Sequence, residues 1–151
     1  MDACWHEKHF DELTTAELYG LIQLRERVFV VEQDCVYLDC DGLDREARHV
    51  FATREGAVVA CARILAPGVV GDEPAIGRVV TAPAVRGQKL GWELMERAVS
   101  GCLRAHGELP IRVSAQSHLE AFYRSLGFIP RGKAYLEDGI PHLEMIRPGS
   151  A

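Results

Sequence analysis

The chain has 151 residues, 48% hydrophobic and 26% charged, with a formal net charge of -5. That length suits one compact domain burying roughly two-thirds of its unfolded surface, and the balance is that of a globular protein, not a disordered one. The acidic charge without any Lys/Arg block speaks against nucleic acid, no apolar run approaches the ~20 residues of a bilayer span, and Met1 to Phe10 lacks the basic-then-apolar order of a signal peptide. The expectation is a single domain over residues 1–151, without a membrane partner and cytoplasmic.

Cys4 to Phe10 reads as a short strand. Thr14-x-x-Glu17 then forms a capping box ahead of Leu18, Leu21, Ile22, Arg25, Val28 and Phe29, a stripe at helical spacing that predicts a helix from about Thr15 to Val30. The span 32–48, with Asp34, Asp39, Asp41, Gly42 and Asp44, has no apolar period and reads as loop with a short helical turn. His49 to Thr53 and Val58 to Leu65 flank Arg54-Glu55-Gly56-Ala57, the pattern of a hairpin. After the Gly/Pro-rich stretch 67–74, Ile76 to Thr81 is a third strand, and Leu90, Leu94, Ala98, Val99, Cys102 and Leu103 mark a long amphipathic helix.

Ile111 to Ala115 reads as a strand, Ser117 to Leu126 as a helix closed by Gly127, and Phe128-Ile129 as the start of another strand. Ala134 to Glu137, Asp138-Gly139 and His142 to Ile146 predict a closing hairpin whose second strand Pro141 either places at an edge or delays. These elements predict an α/β (α+β) fold: a mixed, largely antiparallel sheet with helices on both faces. The five cysteines, Cys4, Cys35, Cys40, Cys61 and Cys102, include no C-x-x-C pair and signal neither a disulfide framework nor a zinc site. Asp39-Cys40-Asp41-Gly42-Leu43-Asp44 has the start of a calcium loop without its closing Glu, so no metal is expected. It reads as a solvated acidic turn suited to steering a cation.

The stretch that carries chemistry runs from Ile76 to Gly91. A strand delivers a Gly-bearing loop into a helix N-terminus, whose free N–H groups suit an anion such as a pyrophosphate. Neither a G-x-x-x-x-G-K-[ST] loop nor a G-x-G-x-x-G fingerprint is present, which removes the best support for nucleoside triphosphates and NAD.

Arg86-Gly87-Gln88-Lys89-Leu90-Gly91 resembles the [Q/R]-x-x-G-x-[G/A] acetyl-CoA motif of the GNAT superfamily, with Lys89 in place of the middle glycine. Ala121-Phe122-Tyr123-Arg124-Ser125-Leu126-Gly127-Phe128 resembles that superfamily's second hallmark. Val28 to Gln33, Gln116 before His118, and Glu137-Asp138-Gly139-Ile140-Pro141-His142 are similar to the ElaA-type subgroup. The resemblance implies a GNAT-like fold and transfer of an acetyl group from acetyl-CoA to a primary amine by direct attack on the thioester, with CoA as product. It implies that the backbone of Val79, Val80 and Thr81 holds the pantetheine arm, that Arg86, Gly87, Gln88, Lys89, Leu90 and Gly91 cradle the pyrophosphate, and that Gln116 touches the cofactor. Tyr123 is the expected general acid and a cofactor contact.

Many relatives use a carboxylate base on the strand before this loop, where Arg78 stands here. The candidate bases are Glu32, His49, His118 and His142. The alternatives are an idle acyl-CoA-binding or protein-interaction domain of the same fold, and transfer of a longer acyl group. The acceptor amine stays open, as does a homodimer.

Overall fold

The computed structural model describes residues 2–149; Met1, Ser150 and Ala151, the ends of the expected domain span, lie outside the described residues. Its centre is an 8-stranded sheet in the order β1-β2-β3-β4-β5-β8-β6, with β7 also paired to β8. The strands are β1 (Cys4–His9), β2 (Arg48–Arg54), β3 (Ala57–Leu65), β4 (Ala75–Thr81), β5 (Ile111–Gln116), β6 (Ile129–Pro130), β7 (Tyr135–Glu137) and β8 (Ile140–Arg147). All pairings are antiparallel except β4 with β5. The two hairpin turns carry Glu55-Gly56 and Asp138-Gly139, each with φ > 0 at both positions, the twist that matches two-residue hairpins.

Alternation along the strands builds two cores. Val50, Ala52, Ala60, Ala62 and Ile64 face one side, where Leu94, Met95, Ala98 and Cys102 of helix α2 (Leu90–His106) cover them. Phe51, Cys61 and Val80 face the other, under Leu21, Leu24 and Val28. Helix α1 (Thr15–Arg25) brings in the first two, and the expected capping box closes its start: Glu17 N–H donates to Thr14 Oγ1 at 3.0 Å and Thr14 N–H to Glu17 Oε1 at 2.8 Å. The predicted helix thus starts where expected, but beyond Arg25 it continues as a π-helical segment, Glu26–Glu32. Helix α3 (Glu120–Ser125) is shorter than predicted, because Ser117–Leu119 is a 3-10 turn.

Pro141 does not put β8 at an edge: β8 lies inside the sheet between β5 and β6. The β5 ladder ends at Gln116–His142, one residue short of Pro141, so the missing N–H falls where β8 has a partner only in β7. Among the described residues, no helix is long and apolar enough to cross a membrane.

The acidic loop is not a solvated turn. Arg25, 2% exposed at the end of α1, donates from Nε to Asp39 Oδ2 at 2.8 Å and from Nη1 to Asp44 Oδ1 at 2.8 Å. Arg63 of β3 pairs with Asp41 at 2.7 Å and Asp44 at 3.1 Å. Arg78 of β4 lies 2.9 Å from Asp39 and 3.3 Å from Asp41, its Nε close to Asp39 but not aligned for a hydrogen bond. Burial opposes the charges of Arg25, Asp41 and Asp44, yet the hydrogen bonds and opposite charges outweigh it, holding the arginine above and both carboxyls below their ordinary values.

Removing one member leaves unpaired buried charge, so Arg25→Met should cost roughly 3–5 kcal/mol of unfolding free energy, read from urea titration at neutral pH. Carboxyls with depressed folded pKa values stabilise fully only above their unfolded value of about 3.9. The wild-type urea midpoint should therefore hold from neutrality down to about pH 5 and fall progressively below about pH 4, where these carboxyls take up protons in the unfolded chain before they do in the fold; a flat midpoint down to pH 3 would contradict it.

Candidate functional site

Strands β4 and β5 share only two ladder positions, Ala75–Arg112 and Ile76–Val113, and then part. The cause lies in β4, where three steps from Gly77 to Val80 oppose two from Cys61 to Arg63, a bulge centred on Arg78 at φ 51°. From Gly77 to Thr81, β4 has no strand partner on its β5 side, which leaves backbone there open to a ligand, apart from the Thr81 carbonyl, which accepts from Arg86 at 3.3 Å. The opening is a cleft of about 410 Å³, bordered by Val79 and Gly77 on one wall and Ser114 and Gln116 on the other.

Tyr123 of α3 reaches this cleft. It is 5% exposed, edge-on to Phe122 and Phe128 at 5.2 and 5.9 Å, and burial alone pushes its phenol up to about 12. It therefore stays protonated at neutral pH, and among the described residues its hydroxyl has no hydrogen-bond partner. A phenol whose ring is buried and whose unpartnered hydroxyl opens onto a cleft is a group available to a ligand.

A second groove, of about 690 Å³, follows from Thr81 past Val85, Arg86, Gly87, Lys89, Leu90 and Gly91 to Phe122. It ends at the N-terminus of α2, where Lys89 is the cap residue at φ 62°. This left-handed backbone favours glycine, and a side chain there costs about 1–2 kcal/mol. Gln88 turns aside and accepts a hydrogen bond from Arg54 at 3.1 Å. Of the three residues expected along the pantetheine arm, Val80 packs into the α1 core, while Val79 borders the cleft and Thr81 the groove.

The four candidate bases separate cleanly. His49 is 2% exposed on β2 and binds the Asp44 carbonyl through Nε2 at 3.0 Å; burial first, then the Arg25 and Arg63 charges, push its pKa down. It is a neutral brace for the ion network, outside the cleft. Glu32 ends the π-helical segment on the exposed surface, its carboxylate forked on Arg86 at 2.5 and 2.8 Å, and that hydrogen bonding holds its pKa down. A paired carboxylate away from the cleft is no base. His118 is exposed on the 3-10 turn before α3 and also misses the cleft. Only His142 of these four borders it, with Nδ1 2.7 Å from the Ile140 carbonyl and Nε2 3.3 Å from Glu137 Oε2.

Gln116 borders the cleft too and exchanges amide hydrogen bonds of 3.4 and 3.3 Å with Gln33, at the end of the π-helical segment. Gln33, Tyr37 and Arg78 are cleft residues that no sequence motif assigned to a role. Tyr37 donates to Asp39 at 2.6 Å, under the Arg78 guanidinium at 5.5 Å. The acidic loop does not offer free charge for steering a cation: Asp39 is buried, and Asp41, though it borders the cleft, is paired with Arg63 and Arg78.

A parted parallel strand pair beside an anion-ready loop and a buried phenol defines an acyl-CoA N-acyltransferase class of site, and the comparisons agree. Residues 15–147 match the acetyltransferase (GNAT) domain family. The chain is 43% identical over 145 residues to Protein ElaA of Escherichia coli strain K12, covering 95% of each. The crystal structure of an acyl-CoA N-acyltransferase from Pseudomonas aeruginosa superposes with a TM-score of 0.92 at 46% identity, covering 97% of this chain and 99% of that one. The crystal structure of Escherichia coli ElaA gives 0.90 at 42%, with the same coverage of 97% and 99%. The chain belongs to the GNAT acetyltransferase family and is ElaA-like.

Because Lys89 pays for a glycine-like backbone, Lys89→Gly should raise the unfolding free energy by up to about 1 kcal/mol, measured by thermal unfolding without ligand. An unchanged or lower midpoint would show that the Lys89 side chain compensates locally.

Proposed function

We propose that the protein transfers the acetyl group of acetyl-CoA to a primary amine, releasing CoA. The observation that carries this reading is the unpartnered Tyr123 phenol in a cleft made by the parting of β4 and β5. Free backbone along β4 suits the amide-bearing pantetheine arm, and the loop from Arg86 to Gly91 suits the pyrophosphate. The choice of acetyl rests on the family description.

Attack of an amine on a thioester requires a neutral nitrogen nucleophile, a polarised carbonyl and a proton for the departing sulfur. In this reading the β4 backbone beside Val79 orients the thioester, Tyr123 gives its proton to sulfur, and His142 Nε2 takes the proton from the acceptor. Arg78, at the position where a carboxylate base is common, neutralises Asp39 and Asp41 instead. That replacement also favours a second reading, an acyl-CoA-binding domain without turnover.

Thermal unfolding with acetyl-CoA or CoA at a hundred times Kd should show about 2.7 kcal/mol of added stability, and NADH none. Tyr123→Phe should keep that stabilisation while lowering kcat for thiol release roughly a hundredfold. Stabilisation without thiol release on any amine would support the idle domain, and no stabilisation by either thioester or thiol would sink both readings.

A further inference from the structure

The hairpin of β7 and β8 places a carboxylate and an imidazole face to face at the mouth of the cleft. His142 sits in β8 opposite Gln116 on one side and Tyr135 on the other, 7% exposed. Its ring lies at 6.1 Å from the Tyr135 ring, the two nearly parallel, and Tyr135 is itself hydrogen-bonded to Ser114. Nδ1 is 2.7 Å from the Ile140 carbonyl, which can only accept, so the neutral ring carries its proton on Nδ1 and its lone pair on Nε2.

That lone pair is 3.3 Å from Glu137 Oε2, whose side chain is 49% exposed. Two acceptors set against each other call for a donor beside them, and a primary ammonium supplies one N–H for each. Among the described residues no lysine lines the cleft, and the arginine that does, Arg78, is taken by Asp39 and Asp41. The other ionisable groups bordering the cleft are Cys35, Tyr37, Asp41, Arg78, Tyr123 and Asp138. Of these, Asp138 adds negative charge to the same turn, held in place where its backbone carbonyl receives Cys35 Sγ at 3.4 Å.

We infer that Glu137 docks the acceptor in its charged alkylammonium form and presents it to Nε2 of His142, an inference that rests on the acetyl-transfer reading above. One ammonium proton moves to Nε2, and the imidazolium so formed becomes the ion-pair partner of Glu137 at the 3.3 Å contact. The freed lone pair forms the C–N bond, and the C–S bond breaks as Tyr123 protonates the sulfur. The second proton lost by the nitrogen restores Tyr123, and the proton on His142 leaves to solvent. The acceptor class is accordingly an alkyl primary amine charged at neutral pH, not an aromatic amine.

The test is kcat/KM for thiol release from acetyl-CoA with spermidine, Nα-acetyl-lysine, a peptide with a free α-amine, and aniline. The proteins are wild type, Glu137→Gln, Glu137→Asp, His142→Ala and the double variant Glu137→Gln/His142→Ala. With the alkyl amines, Glu137→Gln should lose roughly tenfold through KM for the amine with KM for acetyl-CoA unchanged, and His142→Ala roughly a hundredfold. Glu137→Asp should recover part of the loss, and the double variant should be slower than His142→Ala by a further rise in KM for the amine, since the carboxylate holds the ammonium directly. Retained stabilisation by CoA establishes that each variant is folded.

A double variant no slower than His142→Ala, or a Glu137→Gln enzyme as fast as wild type beside a slow His142→Ala, would overturn the role of Glu137 and leave His142 standing. A His142→Ala enzyme as fast as wild type would remove both roles. Faster turnover of aniline than of the alkyl amines would overturn the acceptor class, and no turnover of any amine by wild type would take the acetyl-transfer reading down with it.

Discussion

The alternating cluster of Arg25, Arg63 and Arg78 with Asp39, Asp41 and Asp44 is the constraint on which the rest of the site depends. Its six members come from the end of α1, from β3, from β4 and from the loop between α1 and β2. The loop has little apolar content with which to fold: Val36 and Leu38 are 96% and 77% exposed. Apart from Leu43 and Ala47, which pack beside Leu65 and Ala75, ion pairs hold it against the sheet. Desolvating so much charge is costly, and a pair repays it only with good geometry, which the forked contacts of Arg25 and Arg63 provide. What the cluster contributes is position, since it fixes Tyr37 and Asp41 on one wall of the cleft.

The same cluster bears on the bulge in β4. Arg78 adopts a left-handed backbone inside a strand, at a cost of about 1–2 kcal/mol, and its guanidinium recovers part of that through Asp39, Asp41 and the Tyr37 ring. Without the bulge, β4 would be free to continue its ladder with β5 and close the cleft. Strain at Arg78 and Lys89 brackets the segment that would hold the cofactor, while the β2–β3 and β5–β8 ladders keep long antiparallel pairings. Backbone strain of this kind persists where surrounding contacts over-determine it.

The fold was largely readable in the sequence because its information is local: the Thr14–Glu17 box, period-two strands with Gly turns, and the apolar stripe of α2. The stripe of the first helix even placed Arg25 on the buried face, which the structure explains by its partners. Those partners were not readable, since Asp39 and Asp44 are 14 and 19 residues away and meet Arg25 only through the tertiary fold. For the same reason the acidic run looked solvated. The fate of the histidines was equally hidden: His49 and His142 both lie in strands and are both buried, and only the three-dimensional arrangement sends one to the ion network and the other to the cleft.

A neutralised acidic loop changes how the acceptor side of the cleft distributes its charge. With Asp39, Asp41 and Asp44 paired with arginines, the carboxylates of the cleft left without an arginine or lysine ion pair, among the described residues, are Glu137 and Asp138 of the β7–β8 hairpin. A turn of two residues at the end of two short-range strands is a cheap place to vary side chains, because Asp138 and Gly139 need only keep their positive φ. The arginine–aspartate cluster cannot vary that way without leaving a buried charge unpaired. The architecture thus separates a rigid wall, which sets the cleft, from an adaptable hairpin, and it is on the hairpin that selection among amines would act.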